Sequence, residues 1–284
     1  MKKIINFVVL FLFVVSTGYC SNESFVIKEL NLELIKCPAG SFMMGSPVDE
    51  YLIMKLELPE VFELHKGLFN FEYRETLHNV TLTKSFYIGK YEVTQSQYSA
   101  LMDKNPSEFI GANNPVEMVS YEDAKAFCDK MNLKYSNILP KGYKFDLPTE
   151  AQWEYACRAG TNTELNNGKI LSEANLNEVA WCFGNSGKIT HEVGQKKPNA
   201  WDIYDMHGNV EEWCRDWYGD YPKEDVRDPL GSTKKDKGSF HVYRGGGCES
   251  GGWFCRSASR GSFLYLYKGF SPIGFRLALV PVVQ

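Results

Sequence analysis

Three short helices announce themselves between residues 94 and 160, and no comparable period follows them. Thr94-Gln95-Ser96-Gln97 is a capping box: the threonine hydroxyl meets the third amide and Gln97 reaches back, with Val93 and Tyr98 as staple. Ser120-Tyr121-Glu122-Asp123 starts a second helix, whose stripe Ala124, Phe127, Cys128, Met131 has the spacing of a buried face. Thr149-Glu150-Ala151-Gln152 starts a third, with Trp153, Ala156 and Cys157 inward and Gly160 as its stop. Upstream, the Pro-Ala-Gly turn inside Ile27–Met44 leads into an apolar run that reads as a short strand. Asn79–Val93 gives two more strands, on Val80 and Leu82 and on Phe86 and Ile88, turned by Gly89. After Gly160 regular helix disappears; Asn166–Ala200 is turn-rich, with Trp181 and Trp201 expected as core anchors. The charged, irregular stretch at 47–73 reads as an insertion. No repeat or low-complexity linker divides the chain, so one domain is expected over 21–284.

Residues 1–20 read as a secretory signal: Lys2 and Lys3, an apolar run from Ile4 to Val15, then small residues before a cut at Ser21. A lipid-modified Cys20 is the rival reading, disfavoured by the bulky Tyr19. Later stretches are too short to span a membrane, and the chain expected after cleavage carries a net charge of −6 without a basic block. Nucleic acid and anionic membrane are therefore poor partners, and a secreted or periplasmic location is expected. Seven cysteines remain, an odd number without any CxxC, and the histidines are scattered, which argues against zinc.

Tyr243–Arg260, YRGGGCESGGWFCRSASR, concentrates glycine, an exposed-looking Trp253-Phe254 pair, Cys248 and Cys255 between arginines. The two cysteines are open to three readings: a redox or metal pair, a disulfide, or two buried thiols.

The ordered motifs GSFMMGS (40–46), YIGKYEVTQSQY (87–98), PVEMVSYEDAKAFC (115–128) and LPTEAQWEYACRAGT (147–161) continue through VGQKKPNAWDIYDMHGNVEEWCRDWYG (193–219), YRGG (243–246) and GFRLAL (274–279). Together they resemble the formylglycine-generating enzyme, or sulfatase-modifying factor, family. The resemblance implies an α+β, C-type-lectin-like domain with much irregular structure. It also implies a copper oxidase whose two cysteine thiolates hold Cu(I), soft ligands for a soft ion. In those members the pair follows RGG as C-x4-C; here Cys248 and Cys255 form C-x6-C, so the copper pair is not matched. The resemblance further suggests a structural pairing of Cys214 with Cys255. It implies a calcium site as well, made by Asp205, the carbonyls of Gly208 and Val210, and Glu212; oxygen donors of both kinds suit Ca²⁺. The competing reading has Asp205 and Glu212 capping or pairing with Arg215. The resemblance to the iron-dependent sulfoxide synthases, which use a separate three-histidine helical domain, stops at the shared lectin-like domain.

Two functions follow. One is an exported binding module for a protein or other extracytoplasmic ligand, contacted by Trp253, Phe263, Tyr265 and Tyr267, since tyrosine with serine and glycine suits adaptable binding loops. The alternative is a formylglycine-generating oxidase acting on a cysteine of an exported sulfatase-like protein through Cys248 and Cys255.

Overall fold

An asparagine turn and a proline divide the first stretch of the chain into three strands. The computed structural model describes residues 23–47, 50, 75–232, 240–261 and 272–282. The expected signal with Cys20, the expected insertion apart from Pro47 and Glu50, and Phe263, Tyr265 and Tyr267 lie outside the described residues. The chain opens with β1 (Ser24–Ile27), β2 (Leu32–Cys37) and β3 (Gly40–Met44), the last being the short strand expected after the Pro-Ala-Gly turn. Asn31, at φ 47°, turns β1 into β2, and Pro38, which has no amide to donate, ends β2. β4 (His78–Leu82) and β5 (Phe86–Gly89) fall where the alternation put them.

Helices α1 (Gln95–Met102), α2 (Tyr121–Tyr135) and α3 (Glu150–Arg158) all begin with the capping boxes read from the sequence. At Thr149 the hydroxyl accepts from the Gln152 amide at 3.1 Å, and Gln152 Oε1 accepts from the Thr149 amide at 2.9 Å. The left-handed Ala159 (φ 45°) and Gly160 (φ 95°) end α3. The expectation that helix ends there is corrected by α4 (Glu173–Val179), capped by Ser172. It escapes a periodic reading because only Leu176 and Val179 turn inward.

The remaining strands are β6 (Tyr143–Asp146), β7 (Ala180–Trp181), β8 (His207–Gly208), β9 (Glu211–Trp217), β10 (Val226–Arg227), β11 (His241–Arg244), β12 (Arg260–Gly261), β13 (Ile273–Gly274) and β14 (Ala278–Pro281). Among the described residues they build sheets in the orders β1-β2-β5-β14-β6, β10-β4-β3, β12-β11-β9-β13 and β7-β8. The last strand, β14, runs antiparallel between β5 and β6, so the end of the chain completes the sheet begun by β1. This mixture of short strands and helices is the α+β, lectin-like fold.

Two cores fill the layers. One packs α1 and α2 against the large sheet, with Tyr98 stacked on Phe127 at 5.6 Å and Phe275 edge-on to both. The other gathers Val80, Trp153, Met206 and Val242 around α3. Cys128 belongs to the first, Cys37, Cys157 and Cys214 to the second, all buried as small apolar side chains. Trp201 packs on the second core, edge to Tyr155 at 5.0 Å. Trp181 corrects the expectation of a core anchor: it is half-buried, held between the His191 ring and Lys196 Nζ, each 3.8 Å away.

Candidate functional site

The arginines that bracket the glycine-rich stretch are buried and face acids on other elements. Glu154 of α3 accepts from Arg158 Nε at 2.9 Å and also takes a guanidinium hydrogen bond from Arg244. Glu150, one turn earlier, accepts from Arg260 Nη2 at 2.8 Å. Arg256 reaches Glu50 at 2.9 Å and Glu75 at 2.9 Å, and its guanidinium covers the Trp253 ring at 3.8 Å. The expectation of an exposed Trp253 is thereby corrected: it is 7% exposed, beneath Arg256. Buried charges of this kind are tolerated because each is paired and hydrogen-bonded.

Between those clamps the loop folds tightly. Gly245 and Gly246 sit at φ 95° and 68°, and a Cβ on Gly246 would lie 2.8 Å from Cys255 Sγ. The Cys248 amide donates to the Asn209 carbonyl at 2.8 Å, and Ser186 Oγ donates to the Cys248 carbonyl at 2.6 Å. His207 is buried; its Nδ1–H donates to the Cys255 carbonyl at 2.6 Å, while Nε2 accepts from the Asn166 amide at 3.0 Å. Burial lowers its pKa to about 4, so the ring is neutral.

The thiols sort differently from the expectation. Cys255 packs with Cys182 in a small apolar cluster with Leu165, Leu176 and Ala180, and its thiol faces the Gly251 carbonyl at 3.9 Å. Cys214, expected as its partner, lies in the α3 core, where its thiol faces the Glu212 carbonyl at 4.0 Å. The Cys214–Cys255 pairing is therefore corrected: all seven described cysteines are free thiols, and Cys255 shares its cluster with Cys182. Cys248 is fully buried, and burial pushes its thiol up to about 12.

Behind the loop lies a buried acidic group. Asn209, at φ 64°, joins the two: its carbonyl holds Cys248 and its side-chain amide donates to Glu92 Oε2 at 2.7 Å. Glu92 also accepts from the Val210 amide at 3.1 Å. Glu212 accepts two hydrogen bonds from Arg276, each 2.6 Å, and one from Trp153 Nε1 at 2.8 Å. The arginine is thus Arg276, not Arg215, which lies 3.9 Å from Asp146 instead. Asp205, at φ 56°, accepts the Gly194 amide at 2.7 Å through Oδ2, while its buried Oδ1 has no hydrogen-bond partner. Glu92, Asp205 and Glu212 face one guanidinium, so burial and mutual repulsion hold the Glu92 and Asp205 carboxyls above the usual carboxylate range.

The four residues expected around calcium lie on one run of chain: Asp205 precedes β8, Gly208 ends it, Val210 joins it to β9 and Glu212 is the second residue of β9. Gly208 is irreplaceable there, because at φ 85° a Cβ would stand 2.1 Å from the Trp181 carbonyl oxygen. Among the described residues no three His, Cys, Asp or Glu side chains converge to hold an ion by themselves, so any ion here depends on backbone carbonyls as well. The orphan Asp205 oxygen, the remaining lone pair on Glu212 Oε1 and the carbonyls of Gly208 and Val210 are hard oxygen donors, a set that fits calcium. Sequence reasoning missed Glu92 and Arg276, although both stand in quoted motifs, and Cys182, which nothing local to it signals. A pocket of about 530 Å³ opens elsewhere, lined by His78, Glu150, Asp216, Tyr221 and Arg260, and none of the sequence-predicted site residues is on its wall.

A sulfatase-modifying factor enzyme 1-like domain matches residues 27–280. The chain is 36% identical over 187 residues to the chaperone protein LppX of Paenibacillus barcinonensis, covering 49% of this chain and 65% of that protein. It is 32% identical over 146 residues to the formylglycine-generating enzyme of Mus musculus, covering 48% of this chain and 35% of that enzyme. The alignments thus span less than two thirds of either curated relative. Among solved structures, Treponema denticola variable protein 1 superposes with a TM-score of 0.71 at 28% identity, covering 92% of this chain and 99% of that one.

Proposed function

The chain belongs to the sulfatase-modifying factor enzyme 1-like family, and on that footing we propose that it is a binding module for a protein or other extracytoplasmic ligand rather than a copper oxidase. The observation that carries this is the fate of the loop cysteines. Holding Cu(I) as the oxidase does takes two deprotonated sulfurs converging on one ion. Cys248 is fully buried and lies outside the small cluster in which Cys255 packs with Cys182, so the two loop sulfurs sit in different surroundings. The paired arginines and the glycine turn survive as scaffold, so the architecture outlasts the reaction.

A binding role agrees with the names of two similar proteins, a chaperone and a treponemal variable protein. Export rests on the amino-terminal sequence, and among the described residues no helix is long and apolar enough to cross a membrane. Phe263, Tyr265 and Tyr267 are the side chains assigned to the ligand by sequence. Calcium is part of the reading: Asp205, Glu212 and the carbonyls of Gly208 and Val210 would hold it. Bound there, the ion would supply positive charge against the buried carboxylates beside the Asn209 turn that holds Cys248.

The test is a conversion assay. The full chain, loaded with Cu(I), is incubated with a CxPxR peptide under oxygen and the product is weighed by mass spectrometry. The expected result is an unchanged cysteine. Formylglycine that disappears in Cys248→Ser or Cys255→Ser overturns the proposal in favour of the oxidase.

A further inference from the structure

Neither the loop cysteines nor the calcium donors use the pocket of about 530 Å³, whose volume is that of a small-molecule site. Its wall is held in place by the fold. β10 pairs in parallel with β4, Val226 beside Val80, and Asp228 just beyond accepts the Thr83 amide at 2.8 Å. Arg260 Nη1 donates to the Gly219 carbonyl at 2.9 Å, and its guanidinium lies on the Tyr221 ring at 3.8 Å. Met44, Val226, Pro229 and Leu230 give the pocket an apolar side. Asp216 lies on the same wall and is only 3% exposed.

Asp216 differs from the buried acids around it. Glu150 and Glu154 are met by Arg260, Arg244 and Arg158. Asp216 Oδ2 accepts the Glu150 amide at 2.8 Å, but among the described residues no cation stands within ion-pair distance of the carboxyl and no donor reaches Oδ1. Gly231, at φ 71°, lies against that oxygen, and a Cβ there would stand 2.9 Å from it. Glycine thus leaves uncovered the one carboxylate oxygen that the fold does not use. Buried carboxylates are tolerated where they are paired. Burial, then the charge of Glu150 on α3, raises this one to about 7 against the pull of Arg215 and Arg260.

We infer that this pocket binds an alkylammonium group, with the ammonium on Asp216 Oδ1 and the hydrocarbon stem along Met44, Val226, Pro229 and Leu230. The ligand supplies the counter-charge that the carboxyl lacks, through a charged hydrogen bond stronger than a neutral one. A guanidinium fits less well: its planar fork takes both carboxylate oxygens, and Oδ2 is already held by the helix amide. Asp220 and Arg227, exposed on the same wall, are opposite in charge, so selection rests on the buried carboxyl. A lysine side chain of a protein and a free diamine share this chemistry.

Pentylammonium is titrated into the full chain by calorimetry at pH about 8, where Asp216 is ionised and the amine still protonated. Pentanol, of the same length and uncharged, is the comparison. The expected result is saturable binding of the amine, with pentanol about tenfold weaker or more. Asp216→Asn keeps an acceptor for the Glu150 amide and is expected to bring the amine down to the level of pentanol. Asp129→Asn, exposed on α2, is expected to leave binding unchanged. N-acetyl-lysine methylamide and cadaverine then separate the sources, the tighter of the two naming a protein side chain or a free diamine. No saturable binding of the amine, equal affinity for pentanol, or binding that survives Asp216→Asn overturns the inference. If a variant fails to fold, the wild-type comparison decides by itself. No outcome bears on copper, on calcium or on the aromatic side chains assigned to the ligand by sequence.

Discussion

Arg276 holds Glu212 through two hydrogen bonds of 2.6 Å with both side chains fully buried. The contact exists because β13 runs parallel to β9, with Gly274 beside Glu212, so that the residues after β13 pass the acid. Arg276 Nη1 also donates to the Gly89 carbonyl at 2.9 Å, tying β5 to the same point. Strands β5 and β9 thus meet on one guanidinium carried by the segment after β13, next to the donors proposed for calcium.

Removing that guanidinium leaves Glu212, Asp205 and Glu92 without their common counter-charge. Breaking one partner of a buried ion pair costs roughly 3–5 kcal/mol, because the other charge stays buried and uncompensated. Arg276→Met is expected to lose stability in that range, measured by urea unfolding at neutral pH. A loss under about 1 kcal/mol, the scale of a surface ion pair, would mean that the pair is not buried as described.

Gly208 gives a sharper contrast. Its φ of 85° and the 2.1 Å approach to the Trp181 carbonyl leave no room for a methyl group. Gly208→Ala is expected to fold poorly or to lose several kcal/mol, since strain of about 1–3 kcal/mol adds to a backbone clash. Gly168→Ala, at φ 76° with nothing within 4 Å, carries the strain alone and is expected to cost on the order of 1 kcal/mol. Comparing the two melting curves separates clash from conformation.

Calcium is expected to appear as added stability, because an ion bound only by the folded chain contributes through mass action, about 2.7 kcal/mol at a hundredfold excess over its dissociation constant. The melting temperature should fall when a chelator is added and recover with calcium, and Asp205→Ala should abolish the difference. A melting temperature indifferent to chelator contradicts the assignment.

Asp216 sets a pH dependence. Burial, with the charge of Glu150 next, raises its pKa from 3.8 to about 7, while its Oδ2 accepts the Glu150 amide at 2.8 Å. The folded state therefore binds more protons than the unfolded state between those values. The contribution is fully present below pH about 4 and is lost as pH rises to about 7. Asp216→Asn keeps an acceptor and removes the titration. The difference in unfolding free energy between wild type and variant should shift against the wild type across that window by up to a few kcal/mol, and stay flat above it. A difference independent of pH would show that Asp216 ionises normally in the fold.

What the sequence made legible was whatever depends on neighbours a few residues away. All three capping boxes formed, because a cap is a contact between residues three apart, and the strands on Val80 and Phe86 followed their alternation. The donors proposed for calcium lie on one run of chain, which is why a motif can offer them together. What stayed hidden depends on topology. Arg276 reaches Glu212 through a parallel strand pairing, and Cys182 reaches Cys255 through the packing of α4 and β7 beneath the loop. No spacing encodes either contact, and a pairing guessed from family pattern, Cys214 with Cys255, was displaced by a cysteine outside that pattern. Trp253 looked exposed beside its glycines until Arg256 covered it.

The account stands most directly on whether Cys248 and Cys255 act as one copper site. Cu(I) is titrated into the full chain against a chromophoric competing chelator, alongside Cys248→Ser. The account predicts the same copper uptake in both, because Cys248 is buried outside the cluster in which Cys255 packs. One equivalent of Cu(I) retained by the wild type and lost in both Cys248→Ser and Cys255→Ser would contradict it.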